Sequence, residues 1–549
     1  MFTRKFCIGL ALSIVLTGCS FSSNGKADIK GFAENQTLRL TEQKNIATLD
    51  SVKASDSTSM NVLNNVQEGL MRMGKDKKLV NGIAEDVETN KDKTNYTFKL
   101  RKDAKWSDGT PITAHDFAYA WKRAINPKEP TDYGYIFAPI VNAENYSNGK
   151  VSVDKVGIMA PNDHTLQVKL VKPQNNFLSL TTLPAFLPQK KDLVEKAKTK
   201  YGTVEGLQNM VYSGPFKVDS WANNKVVLSK NEEYWDRPAV KLEKVELYIG
   251  MDIPTGINLY NTDRIDATAL DQAYVEVYKQ TPDFISVELA SSNYILLRIN
   301  HKEGEAFFKN TNIRKAINLA IDRDVLANKI MKDGSKPAGG FVPPSLNGVG
   351  NESFRKHGEV VKYDVSKAKE YWKKGLEELK LSSAPEEIQM ISYNSTAKRD
   401  MAVAIKEQLR RNLGLNVLLD APPWSVHLQN LREGNYQMGM LGWGADYNDP
   451  ISFLEIFQSD AGMNWAGFSN AEYDKLLEQA KSESNQAKQY ELLKQAEQIL
   501  VGTEGKGQSA IIPLIYASNA YIQKPHVKEL YRHAYGPEYS LKWAYLVNE

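Results

Sequence analysis

Cysteine is nearly absent from this chain: of 549 residues only Cys7 and Cys19 are cysteines, so everything after residue 19 can hold neither a disulfide nor a thiolate zinc site. Long apolar runs are also scarce. Residues 6–16 form an apolar stretch that falls short of the about 20 residues a membrane-spanning helix needs. Charge of one sign is missing too, since 69 Lys and Arg stand against 66 Asp and Glu for a formal net charge of +3. The charges are interspersed, which excludes the concentrated basic face or tail of a nucleic-acid binder. Catalytic signatures are wanting as well: there is no G-x-S-x-G, no H-E-x-x-H and no G-x-x-x-x-G-K. Ser152 with Lys155 and Ser366 with Lys369 each spell S-x-x-K, but neither S-D-N nor K-T-G accompanies them. The seven histidines, His115, His164, His301, His357, His427, His526 and His533, include no i,i+3 or i,i+4 pair suited to a metal. No catalytic residue, cofactor or metal is therefore expected.

What is present points outward from the cytoplasm. Arg4 and Lys5 precede the apolar stretch, giving the charge and length of a secretion signal. Leu16-Thr17-Gly18-Cys19 then looks like a bacterial lipobox, in which Cys19 is diacylated and becomes the mature N-terminus. Residues 1–18 are accordingly read as a lipoprotein signal peptide and 19–36 as a lipid-anchored, flexible tether. The alternative is an uncleaved apolar anchor with an incidental cysteine. The remainder is ordinary globular composition, 42% hydrophobic and 25% charged, and long enough for two to four domains.

Strand-like and helix-like stretches alternate without a solenoid repeat, which favours an α/β or α+β fold. Residues 96–101 alternate with period two, and 226–229, 245–249, 294–299 and 388–393 are further strand candidates. Thr113-Ala-His-Asp116 reads as a capping box opening a helix through Ala124. Helices are expected at 312–331, 366–379, 397–413, 471–481 and 486–501. Met401, Ile405, Leu409 and Leu413 recur every four residues before Gly414, which is a core stripe with a C-terminal stop.

A set of short segments carries a resemblance. In order they are Gln67-Glu-Gly-Leu70; Tyr96-Thr-Phe-Lys-Leu-Arg101 with Lys105-Trp-Ser-Asp-Gly109; Thr113-Ala-His-Asp-Phe117 with Ala120-Trp-Lys-Arg123; Tyr212-Ser-Gly-Pro-Phe216; Asn231-Glu-Glu-Tyr-Trp235; Asn312-Ile-Arg-Lys-Ala316; Ala320-Ile-Asp-Arg323; and Gly442-Trp-Gly-Ala-Asp-Tyr-Asn-Asp-Pro450. Together they resemble the extracellular solute-binding proteins of the peptide and nickel ABC importers (family 5), in particular the oligopeptide-binding lipoprotein branch. The resemblance runs over about residues 37–549. It implies an α/β, two-lobed, three-domain periplasmic-binding-protein-like (type II, class C) fold with hinge closure. Domain I would comprise 37–80, 207–296 and 514–549, domain II 81–206 and domain III 297–513.

The same resemblance implies a non-enzymatic, monomeric receptor that captures oligopeptides between its lobes and hands them to ABC permease subunits. Its ligand backbone would be read as an added β-strand, with side chains in roomy, hydrated pockets. Asp446 matches the aspartate that pairs with the peptide's α-amino group; the other reading is a loop cap before Asp449-Pro450. Gly442 and Gly444, flanking Trp443, would let a ligand backbone approach closely, and otherwise form a glycine turn. Glu68 matches an acidic position beside the ligand, although the residues alone make it an exposed turn or helix position. Tyr133 and Tyr135 fall in the loop that presents a tyrosine to the peptide, and Tyr294, Asn300 and Trp424 are candidate cleft residues, each with core or interlobe packing as the alternative. Met440 departs from the pattern, because some oligopeptide binders carry there an arginine that meets the peptide C-terminus. The alternatives left open are a receptor dedicated to one signalling peptide, haem or nickel chelate, and an extracytoplasmic hydrolase or chaperone.

Overall fold

Alternation in three short segments builds one end of the main sheet. Thr37–Glu42, Lys225–Lys230 and Lys244–Ile249 bury alternate side chains. The first pairs with the third in parallel, and the third with the second antiparallel. The computed structural model describes residues 31–75, 78–174, 176–299, 307–392, 395–445 and 447–548. In it these strands continue into a sheet ordered 417–420, 388–391, 438–444, 284–297, 511–523, 267–270, 37–42, 244–249, 225–230 and 216–222, with 336–337 added on 511–523. Parallel and antiparallel neighbours are mixed.

Two strands cross the whole width between the lobes: Phe284–Leu297 and Ile511–Gln523. At 14 residues the first reaches about 45 Å, far beyond the five or six residues usual for a strand. Their mutual register lapses between Glu288 opposite Ser518 and Ser292 opposite Tyr516. At that waist the backbone of Ala290 bonds elsewhere, its N–H to the Ala534 carbonyl at 2.7 Å and its carbonyl to the Ala445 N–H at 2.7 Å. Of residues 294–299, expected as a strand, 294–297 are the end of this crossing strand and 298–299 lie beyond it.

A second, four-stranded antiparallel sheet orders Ala84–Thr89, Asn95–Leu100, Thr165–Lys169 and Ile158–Asn162. The helix Ala114–Ala124 packs on it. The capping box forms as expected, with the Asp116 carboxylate accepting from the Thr113 N–H at 2.8 Å and its hydroxyl at 3.0 Å. Trp121 anchors the helix by donating to the Phe186 carbonyl at 2.8 Å, its ring edge-on to Phe137 and Phe186.

Helices follow from Thr311 to Val501, and four of the five expected there agree within a residue or so: Val365–Glu378, Thr396–Leu413, Ala471–Ser482 and Gln486–Val501. The fifth does not. Where one helix was expected over 312–331, Thr311–Ala320 stops at an extended Ile321, and a new turn starts from Asp322 and runs on as a π-helix, Leu326–Met331. Gln408 accepts the Asp322 N–H at 2.5 Å, and the buried Arg323 donates to the carbonyls of Asn318, Ile321 and Pro513. These tertiary partners satisfy backbone groups that a continuous helix would otherwise have used.

Candidate functional site

The strand Met438–Gly444 lies between the crossing strand and a shorter neighbour. It pairs with the crossing strand over its whole length, from Leu297 opposite Met438 to Ser291 opposite Gly444. Its other neighbour, Ile388–Ile391, reaches only Met438 and Gly439. Residues 442–444 thus present an edge along which no strand runs among the described residues. Such an edge is a template for another extended chain. Gly442 and Gly444 are exposed there, in a strand and not in a glycine turn. Neither has a positive φ. A Cβ on Gly442 would come no nearer than 3.4 Å to a neighbour, Asn293 Oδ1, and one on Gly444 no nearer than 4.0 Å, to the Ala290 carbonyl. The protein's own packing does not demand glycine at either position; the effect is to leave space above the backbone.

Neighbouring side chains hold this strand in place. Trp443 is half-buried and donates its indole N–H to the Ser452 carbonyl at 2.9 Å. His427, fully buried, bonds through Nε2 to the Met440 carbonyl at 2.9 Å, and burial lowers its pKa. The half-exposed Trp424 stacks on that imidazole with centroids 5.7 Å apart, so it covers the support of the strand. Met440 itself packs into the core beneath. Beside Gly442, Lys398 Nζ donates to Asn293 Oδ1 at 2.5 Å, and desolvation brings this ammonium down to about 8.

The chain leaving the strand reaches the wall of a cavity of about 380 Å³ between the lobes. Lys78, Leu79, Asn176 and Ser179 line it together with Asn347, Gly348, Asn448, Asp449, Pro450, the helix residues Gln486, Gln489, Tyr490 and Leu493, and Tyr535. Asp449 is buried, which raises its carboxyl to about 7 although the Ile451 N–H donates to it at 2.9 Å. Gly348 makes room for the Tyr490 ring, since a Cβ would come within 2.3 Å of Cε2. Burial of acids without counter-charge in an interlobe space is a common mark of a ligand site.

Other expected residues fall elsewhere. Glu68 is not an exposed turn residue: it is 1% exposed and pairs with the equally buried Arg72, because Gln67-Glu-Gly-Leu70 interlocks with Tyr212-Ser-Gly-Pro-Phe216. There the Ser213 hydroxyl accepts the Glu68 N–H at 2.8 Å, the Gln67 side chain accepts from Ser213, and Asn231 donates to the Gly214 carbonyl at 2.9 Å. A Cβ on Gly214 would sit 2.6 Å from the Gln67 N. These segments hold the fold together. Tyr294 is 2% exposed, its ring edge-on to Phe341 and Phe457 at 5.0 and 6.0 Å, which places it in the core and not on the cleft surface. Tyr133 and Tyr135 stack on each other at 6.0 Å, with Tyr135 62% exposed, and neither lines the cavity. Asp446, Asn300 and Cys19 lie outside the described residues. Sequence reasoning missed Asn176, Asn293 and Lys398, which belong to no motif, and passed over Asn448 and Asp449 although they stand within one.

Among the described residues no helix is long and apolar enough to cross a membrane, and no group of three or more His, Cys, Asp or Glu is arranged to hold a metal ion. Comparison with known proteins agrees with the geometry. Residues 78–465 match the family model described as bacterial extracellular solute-binding proteins, family 5 Middle. The chain is 34% identical over 539 residues to the oligopeptide-binding protein OppA of Bacillus subtilis (strain 168), covering 94% of this chain and 95% of that one. It is 32% identical over 543 residues to the dipeptide-binding protein DppE of the same organism, covering 98% and 97%. Among solved structures, Listeria monocytogenes OppA bound to peptide superposes with a TM-score of 0.75 at 37% identity, over 94% of this chain and 100% of that one.

Proposed function

Because the chain belongs to family 5 of the bacterial extracellular solute-binding proteins, two-lobed binding proteins and not enzymes, we propose that it captures oligopeptides between its lobes and delivers them to the permease of an ABC importer. The observation that carries this reading is the open edge at residues 442–444, with Gly442 and Gly444 unobstructed, beside a cavity of about 380 Å³. An extended ligand laid along that edge gains main-chain hydrogen bonds whatever its sequence, which suits a receptor for many peptides. Asp446 would take the peptide's α-amino group, and Cys19 would carry the lipid that holds the receptor at the outer face of the cell membrane. The waist at Ala290 would be the hinge.

Native mass spectrometry of the protein beginning after residue 19, purified from a peptide-rich host, tests the proposal directly. A ladder of bound peptides of mixed sequence is expected; one bound species would indicate a dedicated receptor, and a protein that also ignores added peptides would overturn the reading. Asp446→Asn should weaken binding of peptides with a free N-terminus by about 1.5–3 kcal/mol and leave N-acetylated ones unchanged. Equal affinities for wild type and variant would remove Asp446 from the site.

A further inference from the structure

A second cavity, of about 600 Å³, lies where the helix Ala114–Ala124 approaches the helix Lys191–Ala197, and it shares no lining residue with the cavity around Asp449. Four cations line it, Lys53, Lys122, Arg123 and Lys198, against two acids, Glu129 and Glu195. Three of these six are already spent. The Arg123 guanidinium is held by Asp50 at 2.7 Å and by Glu129 at 3.6 Å, and Glu195 lies 3.8 Å from Lys191 Nζ. The three lysines are not spent, for none of them makes an ion pair or a side-chain hydrogen bond with a described residue. Lys53 and Lys198 are exposed and hydrated, but Lys122 is half-buried on its helix. Loss of water lowers its pKa, and Asp154 acts on it only from beyond ion-pair distance. An ammonium taken partly out of water without a partner is costly, and groups perturbed in this way concentrate at binding sites. Tyr119 and Tyr146 line the same space, and neither hydroxyl bonds to a described residue. The unspent groups are thus three ammoniums and two phenols, all of them donors.

Such a set of donors selects an anion rich in oxygen. A carboxylate brings one charge and two oxygens, too few for ammoniums that arrive from three separate segments. A phosphomonoester brings close to two charges and three strong acceptor oxygens at neutral pH. Lysine meets phosphate as a point charge, without the planar fork by which arginine reads a carboxylate. About 600 Å³ lies well inside the range of small-ligand pockets, with room for the phosphate and for the organic group it esterifies.

We propose that this cavity is a binding site for a phosphomonoester, held by Lys53, Lys122 and Lys198 with the Tyr119 and Tyr146 hydroxyls as further donors. The phosphate would belong either to a lipid headgroup or to a soluble compound. Because the cavity includes no residue of the open strand edge, the site stands whether or not the protein is a peptide receptor.

The test uses the protein beginning after residue 19, which keeps every described residue. Isothermal titration with glycerol phosphate reads the soluble source. Co-sedimentation with vesicles of phosphatidic acid and phosphatidylcholine in equal parts reads the headgroup, against vesicles in which phosphatidylglycerol, a diester, replaces the phosphatidic acid. Binding of glycerol phosphate alone would assign the soluble source, and binding of phosphatidic acid vesicles alone the headgroup. Lys122→Gln should weaken whichever binding is seen by about tenfold, and Lys53→Gln and Lys198→Gln by about threefold each. Lys128→Gln, which removes an exposed charge outside the lining, should leave it within about twofold. Lys122→Met keeps the stem and removes the ammonium, so the free protein should melt no lower than wild type while the rise in melting temperature given by the bound probe disappears. Binding that survives both Lys122 substitutions would make that lysine a packing residue and overturn the site. Equal losses from Lys128→Gln and Lys122→Gln, or equal binding to both kinds of vesicle without binding of glycerol phosphate, would reduce it to diffuse attraction. Failure of both probes would also overturn it.

Discussion

Single residues in this protein are set by burial more than by type. Glu42 ends the strand Thr37–Glu42, and loss of water raises its carboxyl to about 7 even though Tyr539 and Asn61 donate to Oε1 and pull the other way. A carboxyl with a folded pKa above its unfolded value stabilises the fold in full below about pH 4.5, and that contribution is lost as pH rises through about 7. Glu42→Gln, neutral at every pH and with an acceptor in the same place, is therefore expected to flatten the fall in unfolding free energy between pH 5 and pH 7.5 by up to about 3 kcal/mol. Urea denaturation at both pH values measures it, and identical slopes for the two proteins would refute the assignment. Glu68 teaches the same lesson. Its sequence neighbourhood reads as a turn, but Arg72, four residues on in the strand Met71–Met73, and Ser213 from a distant segment bury it.

At the scale of the element, caps and stops were legible because they are local. Gly414 closes the helix Thr396–Leu413 with φ of 69°, and its N–H bonds to the Arg410 carbonyl at 3.0 Å. Nothing lies within 4 Å of the place a Cβ would occupy, so only backbone conformation is at stake. Gly414→Ala should cost about 1 kcal/mol and Gly414→Asn less, because asparagine tolerates the left-handed region better. Thermal melting of the pair decides it; a loss from asparagine as large as from alanine would mean some contact matters instead. The break at Ile321 was not legible. It depends on Gln408 and on the Pro513 carbonyl, 86 and 190 residues away from the groups they bond, and no window of local periodicity contains them.

For the whole molecule the question is what holds the lobes together. Lys172 and Glu478 reach across at 3.6 Å, but both side chains are about half exposed, and an exposed pair contributes little against side-chain entropy and salt. On the proposed function the ligand itself would be the stronger link, laid along the open strand edge. Saturating peptide should reduce the radius of gyration in small-angle scattering and raise the melting temperature. Lys172→Glu should change peptide affinity by no more than about fivefold. A larger loss would make this contact a latch, and an unchanged radius of gyration would argue against hinge closure at the waist near Ala290.

By itself the sequence determined what depends on neighbours in the chain. The alternating strands, the stripe from Met401 to Leu413 and the capping box at Thr113 each repeat within a few residues, and the ordered short segments named the family and with it the two-lobed fold. Tertiary structure alone decided which polar groups lose water. Gly442 and Gly444 stand clear because pairing with the neighbouring strand ends at Gly439; Asn176 and Asp449, far apart in the chain, line one cavity. Hydration is a property of the surroundings in space, and residues hundreds apart supply those surroundings.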